Sequence, residues 1–276
     1  MPELPEVEIV VRSLDSIVRK RKIADAELLR QRLSPDTTPD RFKKLLSGAS
    51  INFVHRRGKH VLFDLSNGRT LITHLRMSGK FLLLPDEYPD PKFTHAVLRF
   101  EDGNRLVFQD QRHFGLMKIV ETVELNEARE LKKLAPEPLT DAFSVEYLRL
   151  TLRGSKRTLK EILLDQTKVC GLGNIYASEA MFLSRANPRI RAFRLSRAKT
   201  SSLFDNIRLV LSEAVELGSS MPVIPENIGG SIYGNGNEWE WRVYGRENKP
   251  CVECSHPIVR IVQGGRSTFF CRKCQR

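Results

Sequence analysis

RRGKHVLFDLSNGRTLITHLRMSGKFLLL, residues 56–84, alternates apolar and polar side chains with a period of two and breaks at Asn67-Gly68 and Ser78-Gly79. A period of two places alternate side chains on opposite faces of a strand, and such dipeptides favour tight hairpin turns. The same texture extends from Ile51 to Glu121. KHVLFDL, RTLITHL, KFLLL, THAVLRF, NRLVFQD and LMKIVE are each five to seven residues long, and Asp102-Gly103 supplies another turn. Short strands at this spacing predict an antiparallel sandwich or barrel.

The pattern changes on both sides of this block. Residues 4–20 predict a helix, because Val7, Val10, Val11, Leu14 and Val18 recur every three or four residues while Arg12, Asp15 and Arg19 face away. Pro2 and Pro5 stand where a helix start tolerates missing N–H groups. After about residue 125 the strands stop. NEARELKKL (126–134) reads as a short helix, and APEPL, with Pro136 and Pro138, as a hinge. Helical patterns follow at about 144–153, 157–166, 174–185 and 196–217, the last closed by Gly218 as a C-cap. Residues 218–241 have no period and many Gly, Ser, Pro and Asn, which marks a functional or mobile loop. The expected class is therefore α+β: an N-terminal sandwich with flanking helices over 1–130, a hinge at 131–143, a helical body at 144–242 and a cysteine module at 243–276.

A chain of 276 residues with 41% hydrophobic side chains can bury ordinary cores. It contains no run of 18 apolar residues, and its MPELPEVE start is acidic where an export signal would be basic. A cytoplasmic location is expected. With 45 Lys+Arg against 33 Asp+Glu, the net charge is +12. Such an excess points to a polyanionic partner, since neutralised phosphates release counterions.

Cys251-x-x-Cys254 and Cys271-x-x-Cys274 have the spacing of a four-thiolate zinc site. Four protein ligands leave no open coordination position, so one structural zinc is expected. QGGRSTFF between the pairs reads as a hairpin with Arg266 near its tip, suited to a phosphate contact. The fifth cysteine, Cys170, lies in an apolar stretch and reads as a small buried hydrophobe.

Other motifs are weaker in isolation. In CGLGNIYASEA (170–180), Gly171 and Gly173 permit turns and Asn174 can cap the helix that follows; such helix starts bind anions but are more often only turns. RRGKH gathers Arg56, Arg57 and Lys59 around Gly58, either as a phosphate cradle or as a solvated hairpin edge. DQRHFG (110–115) sets Arg112 and Phe114 in a turn after a strand, where an aromatic can wedge into a base stack or simply pack. Removing Met1 would make Pro2 a secondary amine. An α-amine titrates near roughly 7.7–8.0, so part of it is nucleophilic at neutral pH. Glu3 could supply a proton, and Glu6, one helical turn on, could tune it; equally, both could only favour the helix start.

Taken in order, MPELPEVE, RRGKHVLF, HLRMSGKF, DQRHFG, LAPEPL, LLDQ, GLGNIYASEA, VYGR and the terminal cysteine module resemble the formamidopyrimidine-DNA glycosylase family from Met1 to Arg276. The resemblance implies a two-domain clamp: a β-sandwich, a helix–two-turns–helix domain carrying a zinc finger, and damaged double-stranded DNA in the cleft. It implies excision of oxidised or ring-opened purines through a Schiff base at Pro2, with lyase cleavage of the strand by β,δ-elimination. Glu3 would be the acid and Glu6 a supporting carboxylate. Lys59, Asn174 and Arg266 would grip phosphates, with Tyr244 nearby and His74 in support. Met77, Arg112 and Phe114 would fill the hole left by the flipped nucleotide. A monomer, associated with the nucleoid through DNA, is expected.

Two alternatives remain at this point. An endonuclease VIII-like enzyme for oxidised pyrimidines is opposed by Leu4, where that group usually has Gly, and by the Arg112/Phe114 pair. A non-catalytic DNA-binding zinc protein would not need Pro2, Glu3 and Lys59. A metal-dependent nuclease lacks its clustered carboxylates and histidines. One stretch departs from the family pattern: LGSSMPVIPENIGGSIYGNGNEWEW (217–241) replaces the usual Gly-Gly-Thr-Thr-like run, which bears on base specificity. Trp239 and Trp241 would share one side of a strand, a packing arrangement.

Overall fold

A computed structural model describes residues 1–228 and 241–276. The chain divides into two compact units at Lys132/Lys133, and Leu217 returns the chain to the first of them.

The first unit opens with α1 (Leu4–Val18), β1 (Ile23–Leu28) and α2 (Pro39–Leu46). Seven strands follow: β2 (Ile51–Arg57), β3 (His60–Leu65), β4 (Arg69–His74), β5 (Gly79–Pro85), β6 (Thr94–Phe100), β7 (Asn104–Asp110) and β8 (Leu116–Glu121). They form two antiparallel four-stranded sheets, in the orders β1-β6-β7-β5 and β2-β3-β4-β8. One core joins both sheets to the helices. Phe63 of one sheet meets Phe81 of the other with centroids 5.5 Å apart, Phe81 meets Phe108 at 5.2 Å, and Val7, Val10, Leu14, Val18, Phe42 and Leu46 complete the interior. Rings edge to face at this spacing add to the burial of their apolar area. The expected sandwich is present, and all six quoted stretches are strands.

β1 and α2 were not anticipated. β1 is IADAEL, whose acidic residues mask the strand period, and α2 is only eight residues long, stopped on both sides by its Thr38 cap and Ser47. The helix expected at 126–134 is absent. A 3-10 helix over Thr122–Glu127 gives way to turns there, with Leu131 N–H and Lys132 N–H both returning to the Ala128 carbonyl.

The second unit contains α3 (Val145–Arg153), α4 (Leu159–Leu163), α5 (Asn174–Leu183), most of α6 (Arg197–Ser219), and the hairpin β9 (Ile258–Gln263) and β10 (Arg266–Cys271). Ser144 and Thr158 cap α3 and α4, accepting from Tyr147 N–H at 3.1 Å and Glu161 N–H at 3.4 Å. α4 is half the length expected, because the chain turns at Asp165 and passes through two turns to α5, with Gly171 at φ +74°. α6 runs through Gly218 to Ser219, so Gly218 is not its cap.

The stretch expected to be one long loop is anchored where it begins. Arg12 donates to Ser219 Oγ at 2.7 Å, Leu83 N–H to Pro225 O at 2.8 Å, and Phe81 and Ile228 exchange backbone bonds of 3.0 and 2.8 Å. Ile228 enters the sandwich core. Backbone pairing along the edge strand β5 explains this order, and a search for hydrophobic period cannot detect it. Trp239 lies outside the described residues; Trp241 packs edge-on against Tyr176 at 5.7 Å.

Candidate DNA-repair site

In the first unit the candidate catalytic residues cluster along the chain at the start of α1. Pro2 is half-buried, and Glu3 caps the helix with only 4% of its surface exposed. Glu3 N–H donates to Glu6 Oε2 at 2.8 Å, and Glu6 is 6% exposed. Two carboxylates withdrawn from water at a chain start exceed what a surface helix needs, since acids rarely leave water without a task or a partner.

Lys59 stands in the two-residue turn between β2 and β3, where Gly58 has φ +58°. A side chain at Gly58 would be forced into a left-handed conformation. Arg56 braces the turn through Gly58 O at 3.1 Å and Glu8 Oε2 at 2.8 Å. Lys59 itself is buried.

His74 is directly paired in register with His60, and their rings meet edge-on at 4.7 Å. Arg76 N–H donates to His74 Nδ1 at 2.9 Å, so the His74 proton sits on Nε2 and is available as a neutral donor. His60 Nδ1 faces the Arg57 carbonyl at 3.3 Å and carries its own proton there. Burial pushes His60 down to about 4; burial, then His60, Arg76 and Lys59, push His74 down to about 2. Both are neutral folded and charged unfolded below about 6.5, so the unfolded state binds more protons and stability falls as pH drops below that value. Each histidine should remove on the order of 2 kcal/mol at pH 5. Thermal melts at pH 7.5 and 5.0 should show this, and His74→Asn, which keeps an acceptor for Arg76 N–H, should flatten the dependence. An unchanged slope would refute the assignment.

Met77 lies in the β4–β5 loop, and Arg112 and Phe114 lie in the β7–β8 loop. Met77 and Phe114 are half-exposed, at 49% and 50%, and the Arg112 guanidinium lies 5.4 Å from the Phe114 centroid. Large apolar side chains left in water beside a cation suit insertion into stacked bases.

In the second unit Asn174 is the first residue of α5, and Gly173 is the cap. The expected cap role for Asn174 is therefore wrong. Its Nδ2 instead donates to Ser267 O at 3.0 Å, next to Arg266 in β10. A glycine at the cap lets the loop take its extended turn, and the amide side chain is released for tertiary use. Arg266 follows Gly264-Gly265 and is exposed. Buried Lys160 also holds this strand, donating to Ser267 O and Thr268 Oγ1, both at 2.6 Å. Tyr244 packs edge-on against Phe269 at 5.3 Å. Its N–H and that of Val243 donate to Glu179 Oε1 at 2.9 and 3.0 Å, and Arg242 N–H donates to Oε2 at 3.0 Å. Glu179 is fully buried. Lys160 and Glu179 escaped the sequence reading, although Glu179 sits inside the quoted GLGNIYASEA; a long-range partner is invisible along a chain.

The Sγ atoms of Cys251, Cys254, Cys271 and Cys274 all lie within 4.8 Å of one another, with Cys251–Cys274 at 3.9 Å and Cys254–Cys271 at 3.5 Å. A tetrahedron with Zn–S bonds of about 2.3 Å has sulfur edges of about 3.8 Å. The four sulfurs fit zinc. Burial and the neighbouring sulfurs push the Cys274 thiol up to about 12, a burden a dication would relieve. Cys251 and Cys271 also belong to a small core with Phe182, Val243 and Ile258. One structural zinc is the cofactor.

Residues 1–117 match the formamidopyrimidine-DNA glycosylase N-terminal domain, residues 134–224 that family's H2TH domain, and residues 248–276 the zinc finger found in FPG and IleRS. The formamidopyrimidine-DNA glycosylase of Listeria monocytogenes serotype 4b is 40% identical over 276 residues, covering 100% of both chains. The chain belongs to the formamidopyrimidine-DNA glycosylase family. The glycosylase of that name from Dinoroseobacter shibae is 41% identical over 291 residues, again with 100% of both chains covered. The Lactococcus lactis glycosylase bound to an oxidised-pyrimidine DNA has a TM-score of 0.90 at 35% identity, with 100% of both chains covered. The same relative with Fapy-dG DNA scores 0.88 at 33%, covering 99% of this chain and 100% of that one. The chain is accordingly a base-excision repair glycosylase with the lyase activity characteristic of its family. Among the described residues, no helix is long and apolar enough to cross a membrane.

Proposed function

We propose that this glycosylase, acting as a monomer on damaged double-stranded DNA in the bacterial nucleoid, uses Pro2 as nucleophile, Glu3 as acid and Glu6 as the carboxylate that holds Glu3 in place. The observation that carries this reading is the start of α1, where a half-buried Pro2 directly precedes two buried, hydrogen-bonded glutamates. The Pro2 amine, free once Met1 is removed, attacks C1′ of the damaged nucleotide, and the base leaves with its glycosidic electron pair and takes up the proton that the amine loses. Glu3 protonates the sugar ring oxygen, the ring opens, and an iminium joins proline nitrogen to C1′. Loss of a C2′ proton then expels the 3′ phosphate. A second elimination expels the 5′ phosphate, and water releases the enzyme. Lys59, His74, Asn174, Arg266 and Tyr244 position the phosphates, while Met77, Arg112 and Phe114 fill the vacated stack. Zinc enters no step; it holds the strand that presents Arg266.

The preferred lesion follows from the physics of extrusion. Ring-opened purines stack poorly and are easily flipped, whereas intact 8-oxoguanine stacks well and needs polar contacts from an ordered loop. The 218–241 stretch departs from the family's usual run, and Pro222 and Pro225 remove backbone donors there. An unpartnered buried polar edge costs about 1–3 kcal/mol, or roughly five- to a hundredfold in rate. Single-turnover excision opposite cytosine should therefore run at least about fivefold faster on a formamidopyrimidine than on 8-oxoguanine. Equal rates would overturn this preference. Thymine glycol, an oxidised pyrimidine, belongs in the same panel, because the Lactococcus lactis relative has been solved with an oxidised pyrimidine in its DNA. A pyrimidine rate above both purines would favour the endonuclease VIII-like reading.

A further inference from the structure

We infer that Ser78 and Asp110 form a clasp that joins the β4–β5 loop to the β7–β8 loop and makes Met77, Arg112 and Phe114 one rigid wedge. This rests on the proposed wedge role of those three side chains.

Asp110 ends β7 with 1% of its surface exposed, and its register partner is Gly79, directly after Ser78. Its Oδ1 accepts from Ser78 Oγ at 2.5 Å and from Arg112 N–H at 3.2 Å, while Oδ2 accepts from Gly115 N–H at 2.7 Å. Arg112 N–H also donates to Ser78 Oγ at 3.0 Å. One carboxylate thus ties the residue after Met77 to both ends of the segment that carries Arg112 and Phe114. His95 Nε2 meets the Asp110 carbonyl at 2.8 Å and fixes the backbone of the same residue.

The surroundings leave the two loops little freedom to relax. A Cβ on Gly79 would lie 2.5 Å from Leu75 O and 2.8 Å from the Phe108 ring; one on Gly115 would lie 2.8 Å from that ring. Both loops therefore press against a single core side chain. Arg76 and His113, each next to a wedge residue, have φ of +55° and +60°, left-handed values that non-glycine residues adopt only when held. The clasp supplies that hold. Each of these bonds to the Asp110 carboxylate comes from an N–H or O–H donor, so an amide at this position would turn its own N–H₂ toward one of them. Buried bonds to an ionised acceptor are the strong kind.

A wedge must arrive as a unit, because a base returns to the stack if only part of its place is filled. Ser78 and Asp110 are positioning residues, and their loss should slow extrusion more than the chemistry that follows. The test uses a duplex with a formamidopyrimidine opposite cytosine and 2-aminopurine beside the lesion, read by stopped-flow fluorescence and single-turnover excision. Cleavage of an abasic site in a single strand, where nothing needs unstacking, is the second substrate. Ser78→Ala and Asp110→Asn should each slow the fluorescence change and duplex excision at least tenfold, and single-strand cleavage less than threefold. Ser78→Thr, which keeps the hydroxyl, should return to within threefold of the parent. Ser78 is half-buried in a loop, so Ser78→Ala keeps the test open even if Asp110→Asn misfolds. Equal losses on both substrates, or a Ser78→Ala that extrudes at the parental rate, would overturn the clasp. Met77→Ala and Phe114→Ala separate the premises: if they slow the fluorescence change and Ser78→Ala does not, the clasp alone falls. If they leave it unchanged, the wedge reading falls with it.

Discussion

Borohydride should trap this glycosylase on lesion-containing DNA, and peptide mapping should place the adduct on Pro2. An iminium is reduced to a stable amine, so the trap reports the covalent intermediate itself. Protein that retains Met1 has an amide nitrogen at Pro2 and no nucleophile there. Its excision rate should fall by more than about a thousandfold, or roughly 4 kcal/mol of barrier, with DNA affinity within a few-fold of the parent. The split follows from position in the chain: the phosphate-directed groups sit on other segments, whereas Pro2 lies just before α1. An adduct mapped to an internal lysine, with Pro2 free, would defeat the mechanism. Glu3→Gln should keep binding and lose trapping in step with excision, because it removes the proton that opens the sugar.

Loss of zinc should be the largest structural effect. Cys271→Ser removes one of four ligands, and metal binding supplies about 10–16 kcal/mol to isolated zinc-finger peptides. The β9–β10 hairpin has too small an interior to replace that. The damage should spread, because Cys271 N–H donates to Gln275 Oε1 at 2.9 Å and Gln275 Nε2 donates to Ala186 O at 3.0 Å, tying the finger to its own unit. Ser267, the carbonyl held by Asn174 and Lys160, would drift with it. Cys271→Ser should therefore contain no zinc, lose hydrogen-exchange protection across 258–271, and bind DNA at least about a hundredfold more weakly, or roughly 3 kcal/mol. Arg266→Ala should keep one zinc per chain and lose only the phosphate contact. Full activity in chelated, metal-free protein would end the structural assignment.

Both expectations rest on residues that could be named from the chain alone. The cysteine pairs were legible because a tetrahedral ion forces close local spacing, and CxxC satisfies it within four residues. Pro2, Glu3 and Glu6 lie within one helical turn, but as a catalytic set they are named through the family resemblance. Met77, Arg112 and Phe114 could be named through family resemblance, but what holds them could not. Ser78 and Asp110 are 32 residues apart and meet only because β5 pairs with β7.

Asn174 shows the same limit in the other direction. As a residue at a helix start it had every local reason to cap α5, yet Gly173 takes that place and the Asn174 amide serves a carbonyl 93 residues away. Local propensity is a weak force, about 1 kcal/mol for a cap, and a buried tertiary hydrogen bond competes with it on equal terms. Lys160 and Glu179 look like ordinary charges on helices until the fold buries both, giving Lys160 a carbonyl and a hydroxyl and Glu179 three backbone N–H donors.

What the sequence by itself determined is what short-range periodicity and spacing carry: the sandwich strands with their turns, the main helices and the zinc ligands. What only the tertiary structure decided is which of these meet. The segment at 225–228 becomes a partner of β5, one acidic residue becomes the clasp of two loops, and another holds the segment leading to the finger. The reason is physical. Hydrophobic periodicity records which face of an element avoids water, whereas a buried polar group is satisfied by whichever donor or acceptor the fold brings within about 3 Å, at any distance along the chain.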